Sequence, residues 1–140
     1  MALSEHKLIR LLEGLALPVS DYVVTGSGPL LAHRLKGEIH DIDLVARGRA
    51  WEMAARDNRP RRSKSGLGLR IVLFGGDIEV FNHWLGGLTD IDAMIDSSEL
   101  IEGVPFLSLA DTLRWKRGLG RAKDLSDIAL IEHHLAVPAR

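Results

Sequence analysis

The chain has 140 residues, 46% of them apolar and 26% charged, with a formal net charge of −1. This is ordinary globular composition, not that of a disordered or membrane chain, and the charge does not indicate a globally basic nucleic-acid surface. It contains no cysteine, so disulfides, thiolate catalysis and cysteine–zinc sites are excluded. No apolar run reaches the roughly 18 residues that cross a bilayer, and residues 1–10 lack the basic-then-apolar layout of a secretion signal. A single domain over 1–140 is expected, cytoplasmic and away from membranes.

In chain order, Ser4 is the expected cap of a first helix, with Leu8, Ile9, Leu11, Leu12 and Leu15 as its apolar stripe and Pro18 ending the pattern. Residues 21–25 read as a short buried strand running into Gly26-Ser27-Gly28. Pro29 suits the first position of a helix that reaches about Lys36, with Gly37 as its stop. Residues 42–46 form a second strand and 49–56 a short helix carrying Trp51 and Met53. Residues 58–65 form a polar loop within the cationic run Arg56, Arg59, Arg61, Arg62 and Lys64. Residues 69–74 and 77–81 are β-like, and Gly75-Gly76 between them suits the positive φ of a tight hairpin turn.

Residues 90–100 are ambiguous and compatible with a helix, and 104–107 read as an edge strand or extended lead-in. Ser108 with Asp111 three residues on caps a helix that Gly120 closes after Leu119. A last helix spans about 123–135, with Leu125, Ile128, Ala129, Ile131 and Leu135 as its expected inner face. The order predicts a mixed α/β (α+β) domain: a short mixed sheet flanked by helices, with a helical hairpin at the C-terminal end.

Two segments carry chemistry. The first is a strand that ends in Gly26 and Ser27 and opens a helix, so that backbone N–H groups and the helix dipole can hold phosphate oxygens. The second is Asp41-Ile42-Asp43-Leu44 on a strand. Residues at i and i+2 share a face, so the two carboxylates project together while Ile42 and Leu44 point into the core. Paired hard oxygens on a rigid strand suit Mg²⁺ shared with substrate phosphates. Asp77 and Glu79 on the hairpin strand alternate with Ile78 and Val80. Glu79, deeper in the strand, is preferred over Asp77 as a third acid that completes a metal cage or takes a proton. One face of a hairpin is also often simply wet, which is the plain alternative for Glu79.

Gly26-Ser27, the spacer, Asp41-x-Asp43 and a later strand acid resemble the signature of the DNA polymerase β-type nucleotidyltransferase superfamily. The stretch from Trp115 through Lys116 to Arg121-Ala122-Lys123-Asp124-Leu125-Ser126-Asp127-Ile128 is similar to its small bacterial branch, which includes abortive-infection and toxin–antitoxin nucleotidyltransferases. The resemblance covers roughly residues 23–131. It implies a minimal nucleotidyltransferase fold and Mg²⁺ ligation by Asp41, Asp43 and Glu79, with two ions when NTP is bound. It also implies Gly26 and Ser27 at the phosphates, and Lys116 and Lys123, with Arg121 beside them, at the triphosphate or acceptor. Asp127 is expected to support Lys123 or Arg121, since i and i+4 partners share a helix face.

The activity so implied is transfer of a nucleoside monophosphate from an NTP to a hydroxyl on RNA, protein or a small molecule. Two other readings stand beside it: a catalytically quiet antitoxin-like or regulatory subunit that binds a cognate toxin or other protein, and an antibiotic-modifying transferase. The last needs an acidic acceptor pocket, for which Asp90, Asp92, Asp96 and Glu99 are the available residues. The cationic run of 56–64 is either a solvated loop or a contact for nucleotide or RNA phosphates. Trp51, Trp84 and Trp115 are expected to pack. His33, His40, His83, His133 and His134 show no metal-ligand spacing and are expected at the surface or behind the site, with His40, beside Asp41, as the exception to test.

Overall fold

A computed structural model describes residues 2–85 and 87–136. The elements in chain order are α1 (Lys7–Gly14), β1 (Tyr22–Val24), α2 (Gly28–Ala32), β2 (Ile42–Ala46), α3 (Gly48–Ala55), β3 (Arg61–Arg62), β4 (Leu69–Leu73), β5 (Ile78–Phe81), α4 (Ile91–Asp96), β6 (Glu99–Ile101), β7 (Val104–Phe106), α5 (Leu109–Leu119) and α6 (Leu125–Ala136). Short 3₁₀ turns precede α1, join β4 to β5 and lead into α6.

The strands form one seven-stranded sheet in the order β3-β4-β5-β2-β1-β7-β6. β1 pairs antiparallel with β2 and parallel with β7, while β2 runs parallel to β5. The hairpin partners β3, β4 and β5 are antiparallel, as are β6 and β7. The sheet is therefore mixed, as its sequence order predicts, and both faces are covered.

The period-2 alternation of β2 divides its side chains between those faces. Ile42, Leu44 and Ala46 join α1 and α3 through Leu8, Ile9, Leu12, Ala50 and Ala54 in one buried cluster. Val45 joins Val23, Trp84, Met94, Ile95, Leu107 and Trp115 on the other face, under α4 and α5. Asp43, two residues before Val45, shares that second face at the point where this apolar cover ends. A third small cluster, Leu30, Leu109, Leu113 and Ile131, fastens α2 to the C-terminal helices.

Several expectations shift. Helix α1 is capped by His6, whose Nδ1 accepts from Leu8 N–H at 3.2 Å, and Ser4 lies in the preceding 3₁₀ turn. Helix α2 ends at Ala32 because Arg34 adopts φ +61°, well before Gly37. Residues 90–100 divide into α4, capped by the Asp90 side chain at Ala93 N–H, and the strand β6. That makes β6 the edge and places β7 inside the sheet; Leu107 N–H donates to Val24 O at 2.9 Å, so this join asks no donor of Pro105.

The inner face of α6 is also rotated. Leu125 and Leu135 are exposed, whereas Asp127 and Ile131 are buried. Helix α5 matches its reading closely: Ser108 Oγ accepts from Asp111 N–H and Gly120 closes the helix at φ +63°.

Candidate active site

A cavity of about 500 Å³ opens between the start of β2, the glycine turn after β1, β5 and the C-terminal helices. The eight residues expected to hold metal or nucleotide line it: Gly26, Ser27, Asp41, Asp43, Glu79, Lys116, Arg121 and Lys123. Asp77 is not among the lining residues; it closes the β4–β5 turn, and its carbonyl accepts from Ile42 N–H.

The backbone brings the glycine turn against Asp43. Thr25 N–H and Thr25 Oγ1 both donate to Asp43 O, at 2.8 and 3.1 Å. Gly26 follows at φ +62°, and a Cβ placed there would stand 3.2 Å from Asp43 Oδ2. The parallel register of β2 and β5 sets Asp43 opposite Glu79, so three carboxylates from two neighbouring strands line the same space. Burial first, then the charges of Asp41 and Glu79, push the Asp43 carboxyl up to about 7, against the pull of Lys116 and Lys123.

This donor set has the chemistry of a hard divalent cation site, since like charges raise the proton affinity of a carboxylate that a cation would hold ionised. Neither Asp41 nor Asp43 makes an ion pair among the described residues. Glu79 does: Arg70 Nη1 donates to its Oε2 at 3.2 Å. No group of three or more His, Asp or Glu among the described residues is placed so as to hold a metal ion by itself. Asp41 and Asp43 could hold a cation with substrate oxygens, and Glu79 could join them on leaving Arg70.

The cationic side of the cavity is built from buried ion pairs. Lys116, 2% exposed, donates from Nζ to Asp124 at 3.1 Å and lies 3.3 Å from Asp127 Oδ2. Asp127, itself buried, also accepts from Ser27 Oγ at 3.3 Å and from Lys36 Nζ at 3.0 Å. Arg121 grips Asp124 through Nε and Nη2. The expected support of Lys123 or Arg121 by Asp127 is therefore corrected. Asp127 faces back across the cavity to Lys116, Lys36 and the glycine turn, because the 3₁₀ turn 122–124 rotates α6 relative to a continuous helix from Lys123. Lys123 is exposed at the rim.

Of the cationic run 56–64, Lys64 reaches the cavity and the four arginines stand outside it. The acids considered for a polycation pocket are elsewhere: Asp92 and Asp96 hold Arg47, Asp90 caps α4 and Glu99 faces His33. Trp84 and Trp115 pack with ring centres 5.1 Å apart and form part of the wall, with Lys116 Nζ 4.9 Å from the Trp115 ring centre. His40 is exposed and outside the lining.

Sequence reasoning missed Lys36, Ser63, Ser65, Arg70, His83 and Asp124 as lining residues. Local signals exist for Ser63 and Ser65, in the Ser63-Lys64-Ser65-Gly66 turn, and for Asp124, within the Arg121–Ile128 motif; Lys36, Arg70 and His83 arrive through tertiary contact.

No protein-family model matches the chain, and no curated protein does either. Among solved structures it is similar to that of a Thermotoga maritima protein named as a candidate nucleotidyltransferase, with 19% identity, 96% of each chain covered and a TM-score of 0.60. At that identity the likeness is one of architecture: the chain has a nucleotidyltransferase-like α+β fold.

Proposed function

We propose that this chain is a Mg²⁺-dependent nucleotidyltransferase that moves a nucleoside monophosphate from an NTP to an acceptor hydroxyl and releases pyrophosphate. The observation that carries this reading is the contact of the Asp43 carboxylate with the Gly26 turn, in a cavity shared with Asp41, Glu79 and Lys116. Acid pair and phosphate turn are two halves of one site, and each is chemically incomplete without the other. The likeness in fold to a candidate nucleotidyltransferase supports the same class.

In this reading Gly26 and Ser27 hold the β- and γ-phosphates, with Ser27 oriented by Asp127. Asp41 and Asp43 hold divalent cations, which when bound neutralise charge developing on the phosphoryl oxygens. Glu79 accepts the proton of the incoming hydroxyl or completes the metal cage, once Arg70 turns from it to an anionic substrate. Lys116, linked to Ser27 through Asp127, and Lys123 at the rim balance the triphosphate charge. Catalysis is then positioning and electrostatic stabilisation.

Titration calorimetry with Mg-NTP tests this directly. Saturable binding by the native chain that is lost in Asp41→Ala and Asp43→Ala supports the site, and equal affinity in all three sinks it.

A second reading draws on the Arg70–Glu79 pair, which keeps the third acid engaged. The chain would then be a quiet member of the same fold that binds nucleotide or a protein partner, such as a cognate toxin or antitoxin, without turnover. Mg-NTP binding with no label transferred to RNA, protein or small-molecule acceptors favours it.

A further inference from the structure

The β3–β4 loop and the residues following β5 form another part of the cavity wall. There Ser65 Oγ and Ser63 Oγ lie 3.2 and 3.0 Å from His83 Nε2, and 2.9 Å from each other. Ser63 is buried, Ser65 is exposed, and both line the cavity together with Lys64 and His83.

The neighbours of His83 fix the direction of these bonds. Its Nδ1 lies 3.4 Å from Asn82 Oδ1, an oxygen that already accepts from Leu69 N–H at 2.9 Å and can only accept again. Nδ1 therefore carries the proton, and Nε2 presents a lone pair to the serine hydroxyls. Nε2 offers one lone pair, for which Ser63 Oγ at 3.0 Å and Ser65 Oγ at 3.2 Å compete; Ser65 Oγ also accepts from Leu67 N–H at 3.2 Å, which leaves its own hydrogen to donate to Nε2 or to Ser63 Oγ. Desolvation holds His83 below its usual range, so the imidazole is neutral at pH 7.

The arrangement is specifically accommodated. A Cβ at Gly68 would fall 2.6 Å from both His83 Nδ1 and Asn82 Oδ1, so only glycine lets the loop close on the histidine. Ser63 N–H to Gly68 O at 2.9 Å and Gly66 N–H to Ser63 O at 3.0 Å then hold the turn.

A hydroxyl hydrogen-bonded to a neutral imidazole is the arrangement of an activated acceptor oxygen. We propose that Ser65 is an internal acceptor: the chain transfers one nucleoside monophosphate from an NTP to its own Ser65 Oγ, with His83 as the base. In this step the Ser65 Oγ–Pα bond forms and the bond from Pα to the bridging oxygen of the β-phosphate breaks. Pyrophosphate leaves with the electron pair, and the hydroxyl proton passes to His83 Nε2. Lys64, between the two serines, lies where it can meet the phosphate of the adduct. The adduct would occupy the cavity, so modification would restrain the transfer to any outside acceptor. This inference rests on the nucleotidyltransferase reading above.

The test is intact-mass and peptide-mass analysis of the native chain after incubation with Mg²⁺ and each of the four common NTPs in turn, alongside calorimetric Mg-NTP binding. The expected result is one nucleoside monophosphate per chain on the peptide containing Ser65. It should be absent in Ser65→Ala, retained in Ser65→Thr, and formed about 100-fold more slowly in His83→Ala, the usual order for loss of a general base. Ser65 is exposed, so its variants test the chemistry without disturbing the core. Mg-NTP binding without an adduct, or an adduct on another residue, overturns this inference and leaves the nucleotidyltransferase reading standing. Loss of both binding and adduct overturns the two together.

Discussion

Gly26 and Asp43 are matched across the junction of β1 and β2: the glycine's φ of +62° turns its backbone so that its missing side chain would lie 3.2 Å from Asp43 Oδ2. The contact sets the glycine turn against the acid pair, beside the hydrogen bond from Thr25 Oγ1 to Asp43 O. Alanine at position 26 would both strain a left-handed backbone, by roughly 1–2 kcal/mol, and push the carboxylate away from the turn. Gly26→Ala is therefore expected to weaken Mg-NTP binding by about tenfold or more, equivalent to about 1.4 kcal/mol. Gly14→Ala is the control: a Cβ there would meet nothing within 4 Å, and the residue ends a helix where alanine is favoured. Unchanged calorimetric affinity in Gly26→Ala would show that the turn and the acids do not act together.

The same carboxylate should make stability depend on pH. Asp43 is raised from 3.8 to about 7 by burial and by Asp41 and Glu79, so between these values the folded chain binds a proton that the unfolded chain has released. Stability therefore falls as pH rises through this window, and the full cost is present above about pH 7. Asp43→Asn removes the ionisation and is expected to stabilise the chain at pH 8 by on the order of 2 kcal/mol, read as a higher melting temperature. The two chains should converge near pH 4. Millimolar Mg²⁺ should narrow the gap at pH 8 by offsetting the repulsion among the ionised carboxylates. A melting-temperature difference that stays constant from pH 4 to 8 would remove the electrostatic account of Asp43.

The site was legible where one element decides the placement, and illegible where several must meet. Asp41-x-Asp43 was readable because period-2 alternation alone sends Ile42 and Leu44 inward and the two acids together. Ser108, Asp111 and Gly120 announced α5 because caps are local chemistry. The three-residue strand β6 was not readable, since Glu99–Ile101 has too few residues to show a period and takes its structure from pairing with Val104–Phe106. The same pairing converts a Pro-containing segment that looked like an edge into an interior strand. Hydrophobicity alone misphases α6, whose buried face includes Asp127, paired with Lys116 and Lys36. For the same reason the Ser63–Ser65–His83 cluster and the Arg70–Glu79 pair could not be seen: each joins residues from different elements.

The two acids of the hairpin strand should separate cleanly in kinetics. Glu79 faces Asp43 in register and lines the cavity, whereas Asp77 closes a turn beside Gly75 and Gly76. If Glu79 takes the acceptor proton or completes the metal cage, Glu79→Gln should lower the rate of monophosphate transfer by about 100-fold. Asp77→Asn should remain within about threefold of the native rate, being a turn residue outside the chemistry. Glu79→Gln should also leave Mg-NTP affinity within an order of magnitude, since Asp41 and Asp43 remain. Rates measured under single-turnover conditions check this, and equal loss in the two variants would return Glu79 to a structural role beside Arg70.

Lys116 should be the residue on which the C-terminal hairpin depends most. Its ammonium is buried with Asp124 and Asp127, all three at most 4% exposed. Burial alone would raise the Asp124 carboxyl, yet hydrogen bonds from Arg121 and Lys116 bring it below its ordinary value. Removing the lysine leaves two buried carboxylates with only Arg121, Lys36 and Ser27 to balance them. Breaking a buried pair from one side costs about 3–5 kcal/mol, so Lys116→Met should lower the urea midpoint sharply at pH 7. The exposed Arg117–Glu132 pair on the same hairpin provides the contrast, and Arg117→Ala should change stability by less than about 1 kcal/mol. The sign with pH follows from the lowered Asp124 value: its contribution is present above the unfolded carboxyl's 3.8 and is lost as pH falls through the lower folded value. The deficit of Lys116→Met should thus be largest at neutral pH and shrink in acid below that point. A deficit of the same size at pH 7 and in acid would mean that packing of the lysine stem against Trp115, and not charge balance, is what the residue provides.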